Sequence, residues 1–308
     1  MTDLILHHYP MSPFSQKIRS LLGYADLPWQ SVSVRESPPR PHLAALAGGY
    51  RKVPVAQDGA DVFCDSRIIA EEIAARAGKP ALALANCSAE AQAYVARVDL
   101  DVFFACVLAA GNRTLRRKAW ESMSVTDLLR FAWDRINLGR TATAPIVGLR
   151  EARPAALAHA AGVEAMLVQD FLFGPTPNHA DFSTYHSLWM IRELAESRML
   201  RDLPRLNAWM DRMRAFGEGR PVPLSIEAAL ALARAATPRA IAAEFRSDVL
   251  VGQRVSVAPS DYGQVPTAGV LAGATPTRWI VAREDARLGL VHVHFPRQGY
   301  VLSQLTAR

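Results

Sequence analysis

Hydrophobic positions change spacing three times along the chain. Over the first 80 residues, short apolar runs alternate with helical spacings. Leu4-Ile5-Leu6 reads as a strand, and Phe14, Ile18, Leu21 and Leu22 recur at helical intervals up to Gly23. Trp29 to Val34 reads as a second strand and Leu43 to Leu46 as a short helix. Val53 to Ala56 and Val62 to Cys64 flank Asp58-Gly59, which predicts a hairpin. Ser66 then opens a helix carrying Ile68, Ile69 and Ile73. The order β-α-β-α-β-β-α between Leu4 and Arg76 predicts a mixed sheet with helices packed on it.

Gly78 to Asn86 reads as a linker. From Ser88 to about Ala236 the pattern is helical, as in Tyr94 to Leu108, Thr126 to Ile136, Pro154 to Phe173, Phe182 to Met190 and Leu203 to Phe216. After Pro238 it changes again. Val249-Leu250-Val251, Val255 to Val257, Gly269 to Leu271, Trp279 to Val281 and Leu290 to Phe295 are short, β-branched runs punctuated by Gly, Pro and Asp. They predict a small β-barrel or sandwich. The expected domains are therefore 1–80 (α/β), 88–236 (all-α) and 240–308 (all-β).

Composition narrows the class. The chain has 308 residues, 50% apolar and 21% charged, which excludes a collagenous, disordered or disulfide-scaffold protein. No apolar run reaches the roughly 18–20 residues of a membrane helix. Met1 to Pro10 lacks the basic region and cleavage site of a leader, so the expected location is the cytosol and no membrane partner is expected. Cys64, Cys87 and Cys106 are an odd number without a CxxC pair, against a disulfide framework or a zinc site. The net charge of +6 comes from arginines scattered along the chain, so no nucleic-acid partner is expected. His292-Val293-His294 would place two imidazoles on one strand face, but no third ligand accompanies them and no metal is expected.

Three local features carry candidate chemistry. Ser12-Pro13 places a hydroxyl at a helix start. Capping explains it, and the same geometry lets a serine donate to a thiolate near unpaired N–H groups. Val53-Pro54 suits a strand start or a cis peptide that turns the Val53 backbone toward an added strand. Asp65-Ser66 caps a helix, or binds an ammonium through Asp65 and a carboxylate through Ser66 and backbone N–H groups.

In this order the features resemble the glutathione S-transferases, over about residues 1–235. Tyr9-Pro10-Met11-Ser12-Pro13-Phe14 is similar to the start of the serine-type, tau-like and bacterial members. Gly49 to Val55 is similar to the segment around the cis-proline, and Asp65-Ser66 to the acidic-Ser pair. Asn178-His179-Ala180-Asp181 matches the family's helical capping box, with Asn for the hydroxyl residue. The resemblance implies a thioredoxin-like domain followed by a helical domain, with glutathione as co-substrate. Ser12 would be catalytic, steadying the glutathione thiolate, with Ser15 as the alternative. Val53 and Pro54 would meet the cysteinyl backbone, and Asp65 and Ser66 the γ-glutamyl end. Arg40, His42, Arg51 and Lys52 are candidates for the glycyl carboxylate, and Lys52, next to Val53, is preferred.

Phe103, Phe104 and Trp120 would line an apolar pocket for a small electrophile, although core packing explains each as well. The expected activity is conjugation of the thiolate to that electrophile, in detoxification, by a homodimer. The alternatives are a glutathione-dependent isomerase and a non-catalytic binding module that uses the C-terminal β-domain.

Overall fold

The computed structural model describes residues 3–141 and 147–305. In chain order the elements begin with β1 (Leu4–His8), α1 (Pro13–Ala25), β2 (Pro28–Ser33), α2 (Pro41–Ala47), β3 (Val55–Asp58), β4 (Asp61–Cys64) and α3 (Ser66–Ala77). The helical stretch holds α4 (Ala89–Arg97), α5 (Phe103–Ala109), α6 (Arg113–Ser122), α7 (Val125–Thr141), α8 (Leu149–Met166), α9 (His179–Trp189) and α10 (Pro204–Ala215). β5 (Arg220–Pro223), α11 (Ile226–Ala235), β6 (Arg254–Pro259), β7 (Thr267–Ala274), β8 (Arg278–Asp285), β9 (Gly289–Pro296) and β10 (Tyr300–Gln304) complete the chain. The fold is a thioredoxin-like N-terminal region, a helical middle and C-terminal strands.

The chain divides into two compact units. The first comprises Met1–Ser12, Pro28–Ile69 and Arg220–Arg308, and the second Pro13–Leu27 and Ala70–Gly219. All ten strands belong to the first unit and form one sheet in the order β10-β6-β7-β8-β9-β4-β3-β1-β2-β5. β1 runs parallel to β2 and antiparallel to β3, and β3 is antiparallel to β4.

The C-terminal strands extend this sheet. β9 lies parallel to β4, pairing Asp61 with His292 and Phe63 with His294, and β8, β7, β6 and β10 follow antiparallel. Among the described residues these strands form neither a closed barrel nor a sandwich: they continue one open sheet, with β10 and β5 at its two ends. The physical reason is β4 itself. Asp61-Val62-Phe63-Cys64 is buried throughout, and as an unpaired edge it would present a hydrophobic template for aggregation. Val291, Val293 and Phe295 join Ile5, Val32, Val55, Val62 and Val255 in one continuous core. At roughly 1.5–3 kcal/mol for each fully buried aliphatic or aromatic side chain, the two ends of the chain stabilise each other.

Three local readings change. Val249 to Val251, expected as a strand, is a turn: the Asp248 side chain accepts from Leu250 N at 3.0 Å and Val249 is 90% exposed. Arg220–Pro223 is an edge strand inside the stretch expected to be wholly helical, with β2 as its parallel neighbour. Its two prolines hide it from a propensity reading but are compatible with an edge. Tyr300–Gln304 is a strand with no run of alternating apolar residues to announce it.

In the second unit, the capping box opens α9. The Asn178 side chain accepts from Ala180 N at 2.8 Å, and Asp181 Oδ2 accepts from Asn178 N at 3.0 Å. Asp181 Oδ1 also accepts from Leu172 N and Trp209 Nε1, each at 3.0 Å, tying α9 to α10. Lys17 on α1 is fully buried and donates to Asp99 at 2.8 Å, in a π-helical turn spanning Val98–Val102.

Candidate functional site

Strand register collects the sequence features at one end of the sheet. His7 on β1 pairs with Val55 on β3, and Val55 with Cys64 on β4. Val53-Pro54 enters β3 and Asp65-Ser66 leaves β4 at that end, and Ser12 follows β1 by a short turn in which its N–H donates to Tyr9 O at 3.2 Å. Ser12 is 3% exposed and directly precedes Pro13, the first residue of α1. The Val53–Pro54 peptide is cis. Ser15 is fully buried.

Asp65 has a φ of +79°, in the left-handed region. Asn and Asp tolerate this conformation best among residues with a side chain. Its carboxylate accepts from Arg67 N and Nε at 2.9 and 3.1 Å, from Arg67 Nη2 at 3.2 Å, and from the Tyr300 hydroxyl at 3.0 Å. Burial opposes its charge, but the Arg67 guanidinium and hydrogen bonds, helped by Lys52, hold the carboxyl well below the usual range. The Tyr50 hydroxyl lies 3.4 Å from that of Tyr300. Burial first, and then the Asp65 charge, push both phenols well above the usual tyrosine value, so both remain protonated. Ser66 is buried and opens α3.

Lys52 Nζ donates to both oxygens of Asp261, at 2.7 and 2.9 Å, and lies 3.8 Å from the centre of the Tyr262 ring. Burial lowers its pKa, and Asp261 opposes that shift. Of the other basic candidates, Arg40 spends its guanidinium on the carbonyls of Arg35, Glu36 and Arg51, at 2.7–2.8 Å. His42 is buried with a lowered pKa, set by burial and then by the Arg40 charge.

The apolar candidates lie in the second unit. The Phe103 ring is 4.8 Å from Phe14, 5.4 Å from Phe104 and 5.6 Å from His186, which makes it part of an aromatic cluster. Trp120 stands on α6 at 65% exposure. In the first unit, His294 donates to Asp61 at 2.9 Å and stacks on Phe63 at 4.7 Å, a structural role on β9.

Four residues at the site escaped sequence reasoning: Arg67, Asp261, Tyr262 and Tyr300. Arg67 is the one with a local signal, a cation two residues after an acidic helix-start residue. The others come from turns and from a strand far along the chain.

Comparison with known proteins follows the same lines. The glutathione S-transferase N-terminal domain family matches residues 6–81. A GST-like protein from Pseudomonas syringae is 31% identical, with a TM-score of 0.75, over 99% of this chain and 100% of its own. Similarity also reaches FzlA from C. crescentus, at 23% identity over 70% of this chain and 88% of its own, TM-score 0.45. A glutathione transferase homologue from Sulfitobacter, solved with bound glutathione, is 17% identical over 70% of this chain and 94% of its own, TM-score 0.44. No curated protein sequence matches. The chain belongs to the GST-like proteins, and its match to the Pseudomonas syringae member includes the C-terminal strands. Among the described residues, no helix is long and apolar enough to cross a membrane.

Proposed function

We propose that the chain is a glutathione transferase. The observation that carries this reading is the register that gathers Ser12, cis Val53-Pro54 and Asp65-Ser66 at one end of one sheet. A peptide laid against the Val53 backbone adds a strand to the sheet end, a recurrent mode of peptide recognition. Asp65, held ionised, attracts the γ-glutamyl ammonium, and Ser66 with the first N–H groups of α3 attracts its carboxylate. Ser12 donates to the sulfur and favours the thiolate, which attacks an electrophilic carbon of an apolar small molecule. Phe103 and Phe104, and by sequence Trp120, are the proposed apolar contacts of that molecule. Detoxification in the cytosol fits such a reaction. A homodimer is the proposed assembly, supported by the exposed apolar residues Leu129, Trp133 and Ile136 on α7.

Conjugation of a chromogenic electrophile by Ser12→Ala tests the assignment. The expected result is a fall of about 10²–10³-fold in kcat with glutathione affinity retained, the scale of losing one stabilising donor. Full activity in that variant would remove Ser12 from the mechanism. A second reading, a non-catalytic ligand-binding protein, is favoured by one observation: Lys52 and Asp65 are already engaged by Asp261, Arg67 and Tyr300. On that reading, neither glutathione binding nor conjugation is found.

A further inference from the structure

The segment between β6 and β7 lies against the connection from α2 to β3. Beside it, Thr267 Oγ1 at the start of β7 donates to Ala47 O at the end of α2 at 2.7 Å, and Arg283 Nη1 on β8 donates to Ala45 O on α2 at 2.7 Å. A Cβ on Gly49 would lie 2.2 Å from Pro266 O, so only glycine permits this approach. The contact delivers Asp261 to Lys52. Both carboxylate oxygens face the ammonium, Tyr262 N donates to Oδ1 at 2.7 Å, and the Tyr262 ring lies beside Nζ.

Lys52 adjoins Val53 in the chain. A ligand strand on the Val53 backbone therefore continues past residue 52, where an ammonium would recognise a terminal carboxylate. Here the chain supplies that carboxylate itself. A ligand carboxylate would have to displace a two-oxygen ion pair and would meet the Asp261 charge on the way. An uncharged ligand end meets no such competition. The pair is only partly buried, with side-chain exposures of 14% for Lys52 and 26% for Asp261, so it keeps contact with solvent.

We propose that Asp261 is a specificity-determining residue: it occupies the carboxylate position on Lys52, and the site prefers a γ-glutamyl thiol whose far end carries no free carboxylate. This deepens the glutathione reading and rests on it.

The test is calorimetric titration of the full chain and of Asp261→Asn, with reduced glutathione and with its glycyl monoethyl ester. Asn keeps the acceptor for Tyr262 N, and a thermal melt confirms that the variant folds. Wild type is expected to bind the ester at least as tightly as glutathione. In Asp261→Asn, glutathione binding should tighten about tenfold, the scale of one charge-assisted contact, with the ester changed less than about twofold. A wild type that prefers glutathione to the ester by about tenfold, or an Asp261→Asn that leaves their ratio unchanged, overturns the proposal and leaves the glutathione reading standing. No binding of either compound to either protein removes the glutathione reading and the proposal with it.

Discussion

The two units each contain a lysine paired with an aspartate, and the pairs differ in burial. In the helical unit, Lys17 and Asp99 meet at 2.8 Å with the lysine sealed from solvent. That pair ties α1 to the turn between α4 and α5, and no ligand could replace either partner without opening the helices. In the sheet unit, Lys52 and Asp261 meet at 2.7 Å, but both side chains remain partly exposed and lie beside the candidate site. The same chemistry thus serves cohesion in one unit and, on the proposal above, stands in the way of a ligand anion in the other. Burial decides between these roles, because a sealed charge has no partner except the one the fold supplies.

Removing the acceptor should separate the pairs most sharply. Asp99→Ala leaves an uncompensated buried ammonium and is expected to cost roughly 3–5 kcal/mol in a urea titration. Asp261→Ala leaves a lysine that keeps some contact with water and is expected to cost less than Asp99→Ala. Equal losses would show that the two pairs are energetically alike and would erase the distinction.

Acidification should act on both units at once. Burial pushes His7 in the sheet unit down to about 4, despite the Gln57 hydrogen bond, with His42 adding to the shift. His186 in the helical unit is also lowered to about 4, by burial first and then by Lys17, with Asp99 opposing. The unfolded rings titrate near 6.5, so between that pH and about 4 the unfolded chain binds protons that the native chain refuses. Stability is therefore retained above pH 6.5 and lost as the pH falls, by about 3 kcal/mol per ring near pH 4. Melting curves taken at several pH values check this, and a melting temperature that stays flat down to about pH 4 would show that neither ring is held neutral.

Much of the candidate site was legible because its signals are local. Ser12-Pro13, Val53-Pro54 and Asp65-Ser66 each lie at a junction between elements, where capping and proline chemistry leave a mark in neighbouring residues. The sheet order was not legible in the same way. Parallel pairing of β9 with β4 joins residues more than 200 positions apart, and β-branched runs announce strands without naming their neighbours. Asp261 and Tyr300 escaped for the same reason. They are 209 and 235 positions from the side chains they contact, and each reads alone as an ordinary turn or edge residue.

The most direct measurement is calorimetric titration of reduced glutathione into wild type and Asp65→Ala. Expected is saturable binding in the micromolar to low millimolar range for wild type, weakened about tenfold or more once the Asp65 carboxylate is gone. Absence of binding to wild type, or an affinity indifferent to Asp65→Ala, would contradict the assignment of this sheet end to glutathione.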